Sequence, residues 1–334
     1  MYMNGLFHAA RVISSFPVLA LLLVIPRPGL AQRVTASHEL PDQVEYCDYC
    51  LASQGISPLE VGSSGLRADF RYLTLGTMYQ DGKKTENTGR ELETHLTQQY
   101  SLFHALSPRF SIGAFLPIAK RHSEELNEEG NIVTGNEFGL ADVSLLLRYK
   151  ALVAHDIETT SIISLSAGAK LPTGKTNGKD SEGNLLDPHI QLGTGSTDVL
   201  VGASGFLAFE RVALIANLLG AITTQGANGH EFGNILNYDA SIRYRLYPAE
   251  FDDETELFAT FGVYGELRGR ELQDGVPVAS SGGNVLFLSP GLQFYPVPSI
   301  AIEASFHMPV IHALYGSQLG EDYRVMAGVQ FLMN

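Results

Sequence analysis

The sequence predicts an all-β fold, a closed antiparallel transmembrane β-barrel of about twelve strands. Three observations lead there. From Gly65 to the C-terminus, apolar and polar residues alternate in successive runs, the period of a strand whose two faces meet different environments. After residue 31 no run suits a spanning helix, which needs about 20 predominantly apolar residues; Leu145-Leu146-Leu147 and Ile215 to Leu219 are cut short by charge or glycine. The linkers alternate in length, as they do in barrels with long external loops and short periplasmic turns.

The termini and composition set the frame. Residues 1–31 read as a signal peptide. Arg11 precedes an apolar stretch from Val12 to Ile25, and Gly29-Leu30-Ala31 places small residues ahead of Gln32, the expected first mature residue. Its removal takes Arg11 and Arg27 and no acid, so the formal charge of −14 becomes −16. A basic nucleic-acid footprint is missing, and no nucleic-acid partner is expected. Charged residues are 17% of the chain, below the roughly 25% of a soluble domain. A spanning chain without spanning helices must close into a barrel, because lipid cannot satisfy bare backbone donors and acceptors. The expected location is the outer membrane of a Gram-negative cell. Residues 32–64, with Pro41 and Pro58, are too short for a domain and are expected to be a periplasmic arm or a plug. Residues 65–334 are the barrel.

The runs follow in order. The first sets Leu66, Ala68, Phe70 and Tyr72 against Arg67, Asp69 and Arg71. The second sets Leu92, Leu96, Tyr100 and Leu102 against Glu93, His95, Thr97 and Gln99, and the third carries Phe110, Ile112, Ala114, Leu116 and Ile118. The fourth opposes Val143, Leu145, Leu147 and Tyr149 to Asp142, Ser144 and Arg148; the fifth opposes Ile163 to Leu171 on odd positions to Ser164, Ser166 and Lys170. The sixth has Val199, Val201 and Ala203 against Asp198; the seventh has Val212, Leu214, Ala216 and Leu218 against Asn217. The eighth alternates most cleanly, with Leu236, Tyr238, Ala240, Ile242 and Tyr244 against Asn237, Asp239, Ser241, Arg243 and Arg245. The ninth has Leu257, Ala259, Phe261 and Val263 against Thr260, Glu266 and Arg268; the tenth has Leu286, Leu288, Leu292 and Phe294 against Ser289 and Gln293. The eleventh sets Ile300, Ile302, Ala304, Phe306 and Met308 against Glu303 and His307, and the last sets Tyr323, Val325, Ala327, Val329 and Phe331 against Arg324 and Gln330.

Twelve is even, as required for both ends of a single-chain barrel to lie in the periplasm. The long linkers are 76–91, 121–139, 172–195, 222–234, 269–284 and 311–321. The short ones are 103–109, 151–160, 207–211, 247–256 and 296–299. A soluble sandwich also alternates, but it has no reason to produce this rhythm. Tyr72, Tyr100, Tyr149, Tyr244 and Phe331 are expected near the ends of the outward rows, where amphipathic rings favour the membrane–water boundary.

Gly139-Leu140-Ala141-Asp142-Val143, then Ala169-Lys170-Leu171-Pro172-Thr173-Gly174, then Gly195-Ser196-Thr197-Asp198 resemble the outer-membrane transporter family assigned to the phenol-degradation meta-pathway. The resemblance spans about Gly65 to Phe331 and implies a barrel loosely related to channels for aromatic hydrocarbons and fatty acids. Cys47-Asp48-Tyr49-Cys50 resembles a subgroup with a CxxC ahead of the first strand.

The inward row carries the candidate function. Arg67, Asp69, Arg71, Glu93, His95, Arg148, Asp239, Arg243, Arg245, Glu303 and Arg324 are the candidate lumen and selectivity residues, with Asp142, Lys170, Asp198, Glu266, Arg268 and His307 also expected inward. Most should pair with each other, since confined charges are costly alone; a few left unpaired would select a solute. Leu146, Leu200, Leu219, Phe258 and Phe287 would form a greasy track or fill a narrow bore. Cys47 and Cys50, the two cysteines of the chain, are candidates for a local disulfide in an oxidising periplasm or for a metal or redox contact with a periplasmic partner. No cofactor is expected. The expected partners are outer-membrane lipid and lipopolysaccharide, the barrel-assembly machinery and a small-molecule solute; the acidic run Glu124, Glu125, Glu128 and Glu129 reads as solvated surface, with divalent cations bridging lipopolysaccharide as the alternative. A channel is the expected function. A non-conducting structural or adhesin barrel is the alternative. A barrel hydrolase is the third reading, although the G-x-S-x-G and H-E-x-x-H motifs are absent.

Overall fold

Twelve long strands follow one another in the computed structural model, which describes residues 63–156, 159–248 and 255–333. They are β1 (Ser64–Gln80), β2 (Leu92–Ala105), β3 (Phe110–Leu126), β4 (Val143–His155), β5 (Thr159–Leu171) and β6 (Asp198–Phe209). Then come β7 (Val212–Ile222), β8 (Ile235–Tyr247), β9 (Glu256–Arg268), β10 (Gly283–Val297), β11 (Ile300–Leu314) and β12 (Ser317–Met333). Each pairs antiparallel with its neighbours in sequence. β12 returns to pair with β1 along nearly its whole length, from Ser64 opposite Met333 to Gln80 opposite Ser317. The twelve strands therefore form a closed ring, the fold class expected from the sequence.

Alternation decides which side chains face out. On β8, Leu236, Ile242 and Tyr244 stand exposed, while Asp239, Arg243 and Arg245 are buried. The same split holds on β1, with Leu66 and Phe70 outside and Arg67 and Asp69 inside, and on β12, with Val325 and Phe331 outside and Arg324 and Gln330 inside. β1 carries an irregularity between Thr74 and Thr77. An inserted residue flips the side-chain parity, and beyond it the even-numbered Met78 points inward and is buried.

One outward contact shows how closely the wall is packed. Tyr238 on β8 lies opposite Gly265 on β9, and its hydroxyl donates to Asn284 Oδ1 on β10 at 3.1 Å. A Cβ at position 265 would fall 2.0 Å from the Tyr238 ring, so only glycine leaves room for the ring to lie flat across the strand.

The linker rhythm is corrected in part. Linker 121–139 is mostly strand: β3 runs on to Leu126 and a return strand, Ile132–Leu140, pairs with its outer half. Linker 311–321 shrinks to a two-residue turn at Tyr315 and Gly316, where Gly316 adopts φ +65°. The run from Arg121 to Glu125 has no apolar face, and Gly316 and Gly320 interrupt the second segment, so both read as loops. The segments between β5 and β6, β7 and β8, and β9 and β10 remain long, and a small three-stranded sheet links the last two. The aromatic rows are corrected as well. Tyr244 and Phe331 lie near strand ends, but Tyr72, Tyr100 and Tyr149 lie mid-strand because β1, β2 and β4 run further than their apolar runs suggest.

Candidate functional site

The lumen wall is built from the inward positions of all twelve strands. Nearer the strand ends that carry the termini, Arg67 is held by two acids. Its Nε donates to both Asp69 oxygens at 2.8 and 2.9 Å, and its Nη2 pairs with Glu303 on β11. β12 runs between those strands, and its residue at that level is Gly328, opposite both Asp69 and Glu303. A Cβ there would meet Asp69 Oδ1 at 2.7 Å and both Arg67 Nη2 and Glu303 Oε1 at 3.1 Å. The glycine is what lets an ion pair bridge three strands. Gln293 continues the wall by donating to Glu303 at 3.1 Å and accepting from Arg243 Nη1 at 3.3 Å. Arg243 lies over the Phe258 ring at 4.7 Å. Arg245 faces Glu256 at 3.4 Å, and Asp239 accepts from Asn217 at 3.0 Å.

A second band lies towards the long loops. Arg324 donates to both oxygens of Glu321 at 3.1 and 2.7 Å and covers the rings of Tyr264 and Phe287. The Tyr264 hydroxyl donates to Asn237 at 2.7 Å and to Glu266 at 3.1 Å, and Glu266 also pairs with Arg268. His95 contacts Glu93 at 3.2 Å. Arg121 Nη1 donates to Thr97 Oγ1 at 3.2 Å, and Arg71 stands opposite Thr97 in the register. His307 is fully buried, with its Nε2 3.1 Å from Ser305 Oγ. The charged groups nearest that histidine are Arg324 and Arg71, both cations.

The anticipated inward residues are brought together in these two bands, except Arg148, which is buried on β4, and Asp142, Lys170 and Asp198. Those three meet at the loop end of β4 to β6. Lys170 Nζ pairs with Asp142 at 3.1 Å and Asp198 at 2.7 Å. Asp142 also accepts from the backbone of Gly174 and Thr194, both at 2.9 Å, and Thr173 bridges Ala141 and Val143. The three sequence segments that carry the family resemblance thus converge on one hub that anchors the long loop between β5 and β6.

The anticipated apolar residues do not form one track. Leu146 and Leu200 pack with Phe103 and Phe115, Leu219 and Phe287 pack with Tyr264, and Phe258 packs with Tyr295 and Ala301. Arg121 was missed because it fell in a supposed loop, although continuing the period from Ser111, Gly113 and Phe115 puts it inward. Gln293 stands in the inward row of the tenth run, but neither it nor Gly328 is legible in the sequence as a member of an ion-pair wall.

Outside the membrane-length strands, three loops meet at Glu271. His189 Nε2 approaches its carboxylate at 2.9 Å and His230 Nε2 at 3.4 Å, and Phe232 packs edge-on to both imidazoles. Burial opposes the His189 charge, but the hydrogen bond and charge of Glu271, with help from Asp187, outweigh it and raise its pKa. Burial likewise pushes the Glu271 carboxyl up, and the bond from His189 with the charges of His189 and His230 brings it below the ordinary range. Among the described residues no group of three or more His, Cys, Asp or Glu side chains is arranged to hold a metal ion. The signal peptide, the arm or plug and the Cys47–Cys50 pair lie outside the described residues.

No protein-family model matches the chain, and no curated protein matches it. Solved structures do. An outer membrane channel from Pseudomonas putida F1 superposes with a TM-score of 0.61 at 15% identity, covering 82% of this chain and 97% of that one. The CymD monoaromatic hydrocarbon channel gives 0.40 at 7% identity, over 82% and 89% of the two chains. The translocator domain of autotransporter NalP from Neisseria meningitidis gives 0.39 at 14%, over 84% and 90%. The chain shares the closed antiparallel β-barrel fold of outer-membrane proteins.

Proposed function

We propose that this chain is an outer-membrane channel for a small solute. The observation that carries the proposal is the opposite chemistry of the two faces of one closed ring. Large apolar side chains stand outward on strand after strand, while inward arginines are buried against acids and rings. An apolar belt running round the whole molecule is far larger than the patches that soluble proteins expose, and hydrocarbon is the solvent that accepts it. Ring closure gives every strand two partners, so no backbone edge faces lipid. The shared fold with the P. putida outer membrane channel supports the same reading.

The other elements belong to the same proposal. Residues 1–31 direct export, residues 32–64 act as a periplasmic arm or plug, and Cys47 with Cys50 forms a disulfide or meets a periplasmic partner. The barrel-assembly machinery inserts the mature chain beside lipopolysaccharide. The motif resemblance supports an aromatic or hydrophobic solute and a place in the phenol meta-pathway transporter family. A channel is favoured over a hydrolase because His307, the partner of Ser305, is fully buried and lies within electrostatic reach of two cations. Purified protein in a planar bilayer should give discrete conductance steps. Silence in the bilayer, with no solute uptake in cells, would favour the non-conducting structural or adhesin barrel.

A further inference from the structure

We propose that Arg71 and Arg121 form an anion-binding constriction in the lumen, and that the solute is a small organic monocarboxylate. The inference rests on the channel reading above. Four inward arginines are both buried and partnered. Arg67 has Asp69 and Glu303, Arg324 has Glu321, Arg245 has Glu256, and Arg243 has Gln293 and the Phe258 ring. All four are at most 2% exposed.

Arg71 and Arg121 differ from these four in exposure, and from Arg67, Arg245 and Arg324 in having no acid. Neither has a carboxylate within ion-pair distance among the described residues, and both remain partly exposed. Arg121 spends one donor on the Thr97 hydroxyl. Arg71 lies opposite that same Thr97 across the β1–β2 pairing, its Nε has no hydrogen-bond partner, and it lies within electrostatic reach of Arg121. The acids that act on Arg71 are Glu321 and Glu266, and these are already bonded to Arg324 and Arg268. Glu93, near Arg121, is bonded to His95.

On the strands this band holds Arg71, Arg121, Arg268 and Arg324 with Glu93, Glu266 and Glu321, and Glu271 from the loops also lies within electrostatic reach of Arg268. Two neighbouring cations in a confined bore, neither held in an ion pair, offer donors to a negative charge. A guanidinium fork matches a carboxylate with two parallel hydrogen bonds. The partial exposure of these two groups leaves them open to a solute that the buried arginines cannot touch.

The full-length protein in a planar bilayer under a potassium chloride gradient tests this through its reversal potential, followed by replacement of chloride with acetate and with benzoate. The expected result is anion selectivity despite a chain charge of −14, with acetate or benzoate added at low concentration reducing the chloride current. Arg71→Gln and Arg121→Gln should each lower the anion-to-cation permeability ratio severalfold, and the double variant should become cation-selective. Arg71→Lys should keep anion selectivity but lose carboxylate block, because an ammonium lacks the fork. None of these changes strands a paired acid, and heat-modifiable gel mobility reports whether each variant has folded. A conducting protein that is cation-selective, or a double variant with wild-type selectivity, would overturn the anion site and leave the channel standing. Chloride selectivity without carboxylate block would overturn the monocarboxylate assignment. Absence of conductance in every folded protein would overturn the channel reading and this inference with it.

Discussion

Arg67→Gln is the sharpest probe of the lumen wall. Arg67 and Asp69 are each no more than 4% exposed, and Arg67 also pairs with Glu303, whose side chain is 10% exposed. Removing the guanidinium leaves two carboxylates facing each other across Gly328 with little water. Breaking a buried ion pair by deleting one partner costs about 3–5 kcal/mol. That corresponds to about two to nearly four orders of magnitude in the folding equilibrium. The assay is urea titration of folding into lipid vesicles, read by gel mobility without heating. Arg67→Gln should fold only at much lower urea than the parent. Neutralising the acids as well, in Arg67→Gln/Asp69→Asn/Glu303→Gln, should recover most of the loss, because no charge is then stranded. Equal urea midpoints for Arg67→Gln and the parent would refute the buried pairing. A triple variant no more stable than the single would refute the charge explanation.

Three further outcomes follow from other contacts. Asp142→Ala removes the acceptor for Lys170, Gly174 and Thr194; it should cost at least the roughly 1.5–3 kcal/mol of one hydrogen bond to a charged group and open the loop after β5 to protease. Cleavage at the parent rate would contradict the anchor. Gly265→Val drives a side chain into the Tyr238 ring and should destabilise by about 1–3 kcal/mol, with most of the loss absent in a Tyr238→Ala background; equal cost in both backgrounds would show that the ring is not the obstacle. The Glu271 clamp is pH-dependent. A histidine with a raised folded pKa contributes stability that is full below its unfolded value of about 6.5 and is lost as pH rises through the folded value. The lowered Glu271 carboxyl sets the acid limit, with its contribution lost as pH falls through that folded value. Amide exchange of the three loops should therefore quicken as pH rises beyond neutrality, after correction for intrinsic base catalysis, and Glu271→Gln should remove that dependence.

Period and parity made most of the fold legible. A strand places successive residues on opposite faces whatever its neighbours, so the inward and outward rows of β8 and β12 could be read from the residues alone. Loop lengths could not, because charged residues such as Lys120 to Glu125 suit a strand that projects beyond the membrane as well as they suit a loop. Pairings across strands were also hidden. Arg67 meets Glu303 because β1 and β11 flank β12 and because position 328 lacks a side chain, and no local pattern encodes that meeting. The distinction between paired and unpaired arginines has the same origin, since it depends on register between segments far apart in sequence. The hub at Asp142 was visible as a motif, but its role as an anchor emerged only when the three segments were seen to converge.

The chain contains no tryptophan, so single tryptophans give a direct reading of which side chains touch lipid. Substituting in turn Leu236, Asn237, Ala240, Ser241 and Ile242 on β8, in vesicles carrying brominated acyl chains, tests the two-faced wall where its alternation is cleanest. Strong fluorescence quenching at 236, 240 and 242, with little at 237 and 241, is the expected result. Equal quenching at all five positions, or none at any, would contradict a barrel whose alternate side chains face hydrocarbon.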